Sequence, residues 1–363
     1  MVSESPGDAG RGARPLLSVI IPARNEEASL GACLQSLVGQ TGVGYEIIVV
    51  DDASSDRTRE IAQSFSGVRV LEAPPLRPGS TGKSNALDFG VRKAGGAWLL
   101  FTDADTVHLP GSLAASLQEA RQYQAALLSY SPRQEVRGFW ERAVMPVIFA
   151  ELTRTYRTDD VNDPASPAAA ANGQYLLISR EAYEAAGGHA AVIGSLLEDV
   201  ELARAVKRSG RPIRFRYGGD RVHARMYRSF PQLREGWTKN LALLFAAPGR
   251  LAAVRGSEFV VIIGGAAVAA VAAVRGERTI ATAAGAVAAA VYLLFLRRIR
   301  RAHFAWDANL LALLGVPVFV SLLLASLLSH KQGSVTWKGR TYGAASSAIN
   351  RDAAGKTAAP GRI

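Results

Sequence analysis

The chain has 363 residues, 48% of them hydrophobic, which is enough for a sizeable core and more than one structural unit. Its net charge of +11 and pI near 10.0 fit an anionic membrane surface or an anionic substrate. Without zinc-finger spacing or an aromatic–basic RNA signature, nucleic acid is not an expected partner. The single Cys33 excludes an intramolecular disulfide. It shares an apolar helical face with Leu30, Leu34 and Leu37, so a buried filler is expected.

Residues 1–15 lack an apolar h-region and are rich in Gly, Ser and Arg. They read as a disordered leader rather than a signal peptide, and the part that follows is expected in the cytoplasm. From residue 16, apolar runs alternate with amphipathic segments. Leu17-Ser18-Val19-Ile20-Ile21 reads as a buried strand, and Asn25 is positioned to cap a helix running to Gln40. Glu46-Ile47-Ile48-Val49-Val50 is a second strand. Ser54 or Ser55 can cap the next helix, whose inner face is Ile61, Ala62 and Phe65. Residues 68–71 form a third strand, 83–94 a helix and 97–101 a fourth strand. This alternation predicts an α/β fold with a mostly parallel sheet covered on both faces.

Residues 158–171 hold three Asp, two Pro and a run of Ala, and read as a mobile surface loop long enough to be a lid. Residues 172–179 re-enter as a strand. Residues 197–208 form a helix stopped by Gly210 and Pro212. The expected globular domain covers residues 16–240, and 241–256 read as an interfacial segment.

Three apolar runs follow, at 259–274, 280–296 and 310–328, each near the roughly 20 residues that span a hydrocarbon core. The transmembrane region is therefore 257–330, in a multi-pass cell-membrane protein. Arg297-Arg298-Ile299-Arg300-Arg301 is expected on the cytoplasmic side. Three crossings would put Trp337-Lys338-Gly339-Arg340 outside, where basic residues are disfavoured, so one run is a candidate re-entrant segment, near Pro317. Residues 331–363 read as a polar tail, disordered beyond Gly343.

Chemistry concentrates in three acidic signatures. Asp51-Asp52 and Asp103-Ala104-Asp105 each follow an apolar run directly, at the carboxyl ends of strands, where open α/β sheets bind ligands. Glu198-Asp199 open an amphipathic helix. Asp103 and Asp105 can share one Mg²⁺, which takes one or two carboxylates plus substrate phosphates. Asp52 can accept from an imide N–H of uracil, while Asp51 caps the loop. Arg24 and Lys83 are candidates to meet a diphosphate. Gly79-Ser80-Thr81-Gly82-Lys83 lacks the full phosphate-loop frame, but a helix N-terminus with one Lys still suits an anion. One carboxylate of Glu198-Asp199 can deprotonate an acceptor hydroxyl. The competing readings are a solvated turn, a pair of loop caps and an ordinary acidic helix start.

Pro22-Ala23-Arg24-Asn25-Glu26, Val49-Val50-Asp51-Asp52-Ala53-Ser54-Ser55-Asp56, Gly82-Lys83-Ser84-Asn85-Ala86-Leu87, Asp103-Ala104-Asp105 and Leu197-Glu198-Asp199 together resemble family 2 glycosyltransferases of the GT-A (Rossmann-like) fold. With Asn172-Gly173-Gln174, Gly187-Gly188-His189 and the apolar C-terminal runs, the chain looks most like the membrane-bound branch that includes ceramide glucosyltransferases and hopanoid- or carotenoid-associated enzymes. The resemblance implies inverting sugar transfer from a nucleotide-diphosphate donor, expected to be UDP-linked, to a lipid or isoprenoid acceptor at the cytoplasmic face. It implies Asp199 as the catalytic base and Mg²⁺ or Mn²⁺ on Asp103 and Asp105. Pro22, Arg24, Glu26, Asp52, Lys83 and Asp103 would face the donor. Gly173, Gln174, Glu198, Arg234 and Trp237 would lie on the acceptor side.

The alternatives are a processive polysaccharide synthase and a nucleotide-sugar-binding membrane protein without catalysis. Processive relatives carry a Q/R-x-x-R-W motif. Here Trp237 is present, but Gly236 and Leu233 replace the basic or amide positions, and Arg234 substitutes in part. Trp237 is expected to stack on an acceptor sugar or sit at the bilayer interface, with a core position as the third option. His189 and His223 have no ligand-spaced partner and are expected to be structural or substrate-facing.

Overall fold

The computed structural model describes residues 15–342. The expectations of disorder for the leader and for the tail beyond Gly343 fall outside that range. In chain order the elements are β1 (Leu17–Ala23), α1 (Leu30–Val38), β2 (Tyr45–Asp51), α2 (Thr58–Gln63), β3 (Val68–Glu72), α3 (Gly82–Lys93), β4 (Trp98–Phe101), β5 (Thr106–His108) and α4 (Ser112–Gln122). Next come β6 (Leu127–Ser131), β7 (Arg133–Gln134), α5 (Phe139–Thr155), α6 (Thr158–Asn162), β8 (Leu176–Ser179), α7 (Arg180–Ala185), α8 (Gly188–Ala191), α9 (Glu198–Arg208), β9 (Ile213–Tyr217) and β10 (Val222–Ala224). The C-terminal part holds α10 (Phe230–Leu244), α11 (Pro248–Val274), α12 (Arg278–Ile299), α13 (Trp306–Gln332), β11 (Val335–Trp337) and β12 (Arg340–Tyr342).

The main sheet has seven strands in the order β3-β2-β1-β4-β8-β6-β9. β3, β2, β1 and β4 are parallel, β8 runs antiparallel to both β4 and β6, and β9 is parallel to β6. Both faces are covered, which is why β1 and β2 read as continuous apolar runs. Leu17, Val19, Ile21, Ile47 and Val49 bury one face against α1, while Ile20, Ile48, Val50, Leu99 and Phe101 bury the other against α3 and α9. Gly90 on α3 keeps that second packing tight, because a Cβ there would sit 2.7 Å from Ile20. Cys33 is fully buried on α1, as expected.

Several local expectations are corrected. Asn25 does not cap α1. It takes φ 52°, and its side-chain oxygen accepts from the Ser55 amide at 2.8 Å, tying the loop after β1 to the loop after β2. Asn tolerates this left-handed geometry better than most residues. The carboxylate at the start of α2 is Asp56, which accepts from the Thr58 amide at 3.0 Å, whereas the Ser54 hydroxyl accepts from Asn25. Residues 158–171 are not a free loop. Val161, Ala169, Ala170 and Ala171 are buried on the sheet, Asn162 pairs with the backbone of Phe215, and Lys207 donates to Val161 at 2.7 Å. The alanine run lets the backbone lie close to the sheet.

Three helices, α11, α12 and α13, are long and apolar enough to cross a membrane. The expected interfacial segment 241–256 is not a separate unit. Its first residues finish α10, and α11 starts at Pro248, where a missing N–H costs nothing. α13 runs unbroken through Pro317, which lies on its exposed ridge. Its other face packs on α5 and α10. Gly315 permits that approach, since a Cβ there would meet the Ala143 backbone. Glu151, fully buried on α5, lies 3.1 Å from both Arg255 and Arg298, and the same two arginines hold Glu258. This cluster anchors the base of α11 and α12 to the globular part.

The described part of the expected polar tail also folds. β11 and β12 pair antiparallel through Lys338 and Gly339, at φ 45° and 74°, which is the two-residue turn that suits a twisted hairpin.

Candidate active site

The carboxyl ends of β1, β2 and β4 converge with the N-termini of α3 and α9 on one cleft of about 960 Å³. Asp52, Asp103, Asp105 and Asp199 all line it, so acids far apart in sequence share one space.

Lys83 sits at the centre. Thr81 caps α3, accepting from the Ser84 amide, and so delivers Lys83 on the first turn. Its Nζ lies 2.8 Å from Asp103 Oδ1 and 2.9 Å from Glu198 Oε1. Desolvation works against the ammonium charge, but Asp103, Glu198 and Asp199 outweigh it and hold the pKa well above the usual lysine range. Lys83 therefore stays cationic where a diphosphate would arrive.

Asp199 is fixed by two backbone donors. Its Oδ2 accepts from the Gly173 amide at 2.7 Å, and its Oδ1 from the Val200 amide at 2.8 Å. Desolvation, and then the charge of Glu198, push its pKa up to about 6 against the pull of Lys83 and these hydrogen bonds. Gly173 has no room for a side chain, because a Cβ would lie 2.7 Å from Lys83 Nζ and 3.4 Å from Asp199 Oδ2.

Asp105 has a shortage of positive charge around it. Desolvation and the charges of Asp103 and Glu26 push it up to about 7, and its main donor is the Gln174 amide, 3.3 Å from each oxygen. Gln174, expected on the acceptor side, is instead 3% exposed and orients Asp105, itself held by Gln134 at 3.0 Å. Two carboxylates one residue apart, both lining the cleft, fit a divalent cation shared with a phosphate. Among the described residues no group of three or more His, Cys, Asp or Glu is placed to hold a metal. Water and substrate oxygens would complete any coordination there.

The remaining expected positions divide. Pro22, Arg24 and Glu26 line the cleft. Arg24 donates to the Asp52 carbonyl at 2.7 Å, and Glu26 is ion-paired to Lys338. Asp51 accepts from the Ser54 amide at 3.3 Å, the expected loop cap. Arg234 is exposed on α10 and lies outside the cleft. Trp237 is 2% exposed, donates to Met145 Sδ at 3.3 Å and packs on Phe149 and Tyr227. It is a core residue forming the cleft wall, not an interfacial one. A side chain at Gly236 would collide with the Tyr227 ring and hydroxyl. His189 is buried and pushed down to about 3, so it is neutral, with Tyr183 on Nδ1 and its ring edge on Phe101. His223 contacts the Gly219 carbonyl at 3.1 Å.

Sequence reasoning missed two contributors. Lys239 enters the cleft from α10 with its Nζ 4.9 Å from the Trp337 ring, and burial lowers its pKa. The β11–β12 hairpin brings Lys338 and Arg340 onto Glu26 and Asp52. The available signal was the run of basic residues at 338–340, which conflicted with an outside location.

The chain is 32% identical over 235 residues to the 4,4'-diaponeurosporenoate glycosyltransferase of Staphylococcus aureus, covering 62% of this chain and 60% of that protein. The chain thus spans about 60% of the length of the curated relatives it matches. A mannosyltransferase from Pyrobaculum calidifontis, solved in complex with GDP-Man and Mn²⁺, shares the fold at TM-score 0.50 and 19% identity, over 88% of this chain and 87% of that one. Residues 18–187 match the family described as Glycosyl transferase family 2. The globular part has the GT-A fold.

Proposed function

We propose that the protein is an inverting glycosyltransferase that moves one sugar from a nucleotide-diphosphate donor, UDP-linked or similar, to a lipid or isoprenoid acceptor at the cytoplasmic face of a membrane. The observation that carries this reading is the single cleft shared by Asp52, Asp103, Asp105 and Asp199, walled by α5 and α10 and adjoining the apolar helices. The likeness to an enzyme named for an isoprenoid acid supports the acceptor class.

In this reading the acceptor oxygen attacks the anomeric carbon from the face opposite the diphosphate. The sugar–phosphate bond breaks, and the electron pair leaves on the nucleoside diphosphate. Asp199 receives the proton of the acceptor hydroxyl, held in place by Gly173 and Val200. Lys83 lies where charge grows on the leaving group, and its cationic state stabilises that charge. Asp103 and Asp105 would hold Mg²⁺ or Mn²⁺, which when bound would neutralise part of the diphosphate charge.

The membrane seat follows from α13. Its N-terminal end is ion-paired to the globular part through Asp307 and Arg142, and its C-terminal end is hydrogen-bonded there through Ser326 to Ala242 at 2.9 Å and His330 to Lys239 at 2.8 Å. These contacts support two crossings, α11 out and α12 back. α13 then lies under the domain with Leu310, Leu314, Leu324 and Leu328 toward lipid. An odd number of crossings would separate Arg340 from Asp52 by a bilayer. The processive reading loses support from the exposed Arg234 and the blocked Gly236 position.

Lipid extracts from cells with and without the protein, compared by mass, test the function. A hexose-sized increment on one lipid class is expected. Ladders of repeated increments would favour chain extension, and no increment would contradict transfer to lipid.

A further inference from the structure

We infer that Lys239 is a second cation for the donor's diphosphate, reaching the sugar-bearing phosphate from α10 as Lys83 does from α3. This rests on the reading of the cleft as a nucleotide-diphosphate site. Four carboxylates, Asp103, Asp105, Glu198 and Asp199, line the end of the cleft where the sugar–phosphate bond would break. Lys83 already serves two of them, Asp103 and Glu198, at 2.8 and 2.9 Å. Its charge is shared before a substrate arrives. A diphosphate entering there, and gaining charge as the bond breaks, calls for positive charge that no carboxylate has claimed.

Lys239 supplies it. Arg24, Arg216, Arg225, Lys338 and Arg340 also line the cleft, and each is engaged by a carboxylate or a backbone carbonyl. Among the described residues the Lys239 ammonium has no such partner. Its charged end rests on the Trp337 ring, with Nζ 4.9 Å from the centroid. An aromatic face steadies a cation without neutralising it. Burial lowers the pKa, because the ammonium has lost water without gaining an ion pair. The charges that act on it most are those of Glu198, Lys83, Asp103 and Asp199, at the reacting end of the cleft.

The fold fixes its position. Leu233, Trp237 and Leu241 bury one face of α10, and Gln232, Glu235 and Lys239 line the cleft at helical spacing. His330 on α13 contacts the Lys239 carbonyl at 2.8 Å. The Trp337 that carries the ammonium belongs to the β11–β12 hairpin, and the next residue, Lys338, donates its backbone N–H to Glu235 at 3.1 Å. Helix and hairpin thus hold the charge together.

Calorimetric titration of the full chain in detergent, with Mn²⁺ present, tests this. The probes are UDP against UMP and GDP against GMP. Wild type is expected to bind the preferred diphosphate tighter than its monophosphate. Lys239→Gln should weaken the diphosphate about tenfold, the scale of a lost charge-assisted hydrogen bond, and leave the monophosphate within about twofold. Lys239→Arg, which keeps the charge, should retain most of the wild-type affinity. A purely structural role would weaken both nucleotides together. That result, or an unchanged ratio of diphosphate to monophosphate affinity, overturns the proposal. So does a raised KM for lipid with diphosphate binding intact, which would put Lys239 on the acceptor. Lys83→Gln separates the two readings. If it weakens the diphosphate while Lys239→Gln does not, only the role of Lys239 is wrong. Wild type that binds neither UDP nor GDP contradicts the donor reading, and the proposal falls with it.

Discussion

The backbone N–H of Gly173 donates to Asp199 Oδ2 at 2.7 Å, tying the segment before β8 to the first turn of α9. That bond holds the proposed base in one orientation, and the missing side chain at Gly173 leaves space for the Lys83 ammonium. Gly173→Ala should therefore push Lys83 and Asp199 apart. We expect kcat to fall about tenfold to a hundredfold, the scale of a small misplacement at a reacting centre. The melting temperature should change little. Unchanged kcat in steady-state assays would show that this contact does not position the base.

Asp199 gives the reaction a defined pH dependence. Its carboxyl is pushed up to about 6 by desolvation and then by Glu198. Below that pH it is protonated and cannot take the acceptor proton, so the rate at saturating donor should rise through about pH 6 and level off above it. Glu198→Gln removes a like charge, which lowers the Asp199 pKa, so the acidic limb should move to lower pH. A shift to higher pH would contradict the electrostatic account.

Metal uptake should release protons. Asp105 is pushed up to about 7 when no ion is present, and a ligand carboxylate must be ionised to bind. Mn²⁺ affinity should rise between pH 6 and 8. Calorimetry in buffers of different ionisation enthalpy should detect the released proton, and Asp105→Asn should abolish it. Chelation should stop transfer and excess Mn²⁺ should restore it. Proton release that persists in the variant would place the metal elsewhere.

Membrane topology can be read by labelling single cysteines in a Cys33→Ser background. Ala305→Cys and Ser334→Cys flank α13 and should react from the side that carries the catalytic domain. Gly276→Cys, between α11 and α12, should react only from the other side. Labelling of positions 305 and 334 from opposite sides would make α13 a crossing.

The parallel sheet and its acidic strand ends were legible because burial on both faces writes β2 and β4 as largely apolar runs, with Asp52 directly after the first and Asp103 just beyond the second. The convergence of Lys83 and Asp199 was legible only in part. Helix starts reveal an acid or a lysine, but not that Gly173 must lie between them. The alanine run at 169–171 looks like a loop by composition, and only the tertiary contact with the sheet makes it a buried wall. Gln174 could not be placed behind Asp105, because its partners Gln134 and Asp105 come from separate strands and turns. The hairpin was hidden for a different reason. Its local signal is short, and its meaning lies in Asp52, 288 residues earlier.

The most direct test of one cleft with one base is a paired measurement on Asp199→Asn: donor affinity with Mn²⁺ present, and sugar transfer to lipid. We expect donor binding within about twofold of wild type and transfer reduced by about a hundredfold or more, the upper range of general-base effects. Transfer at a substantial fraction of the wild-type rate, with donor bound, would contradict the assignment.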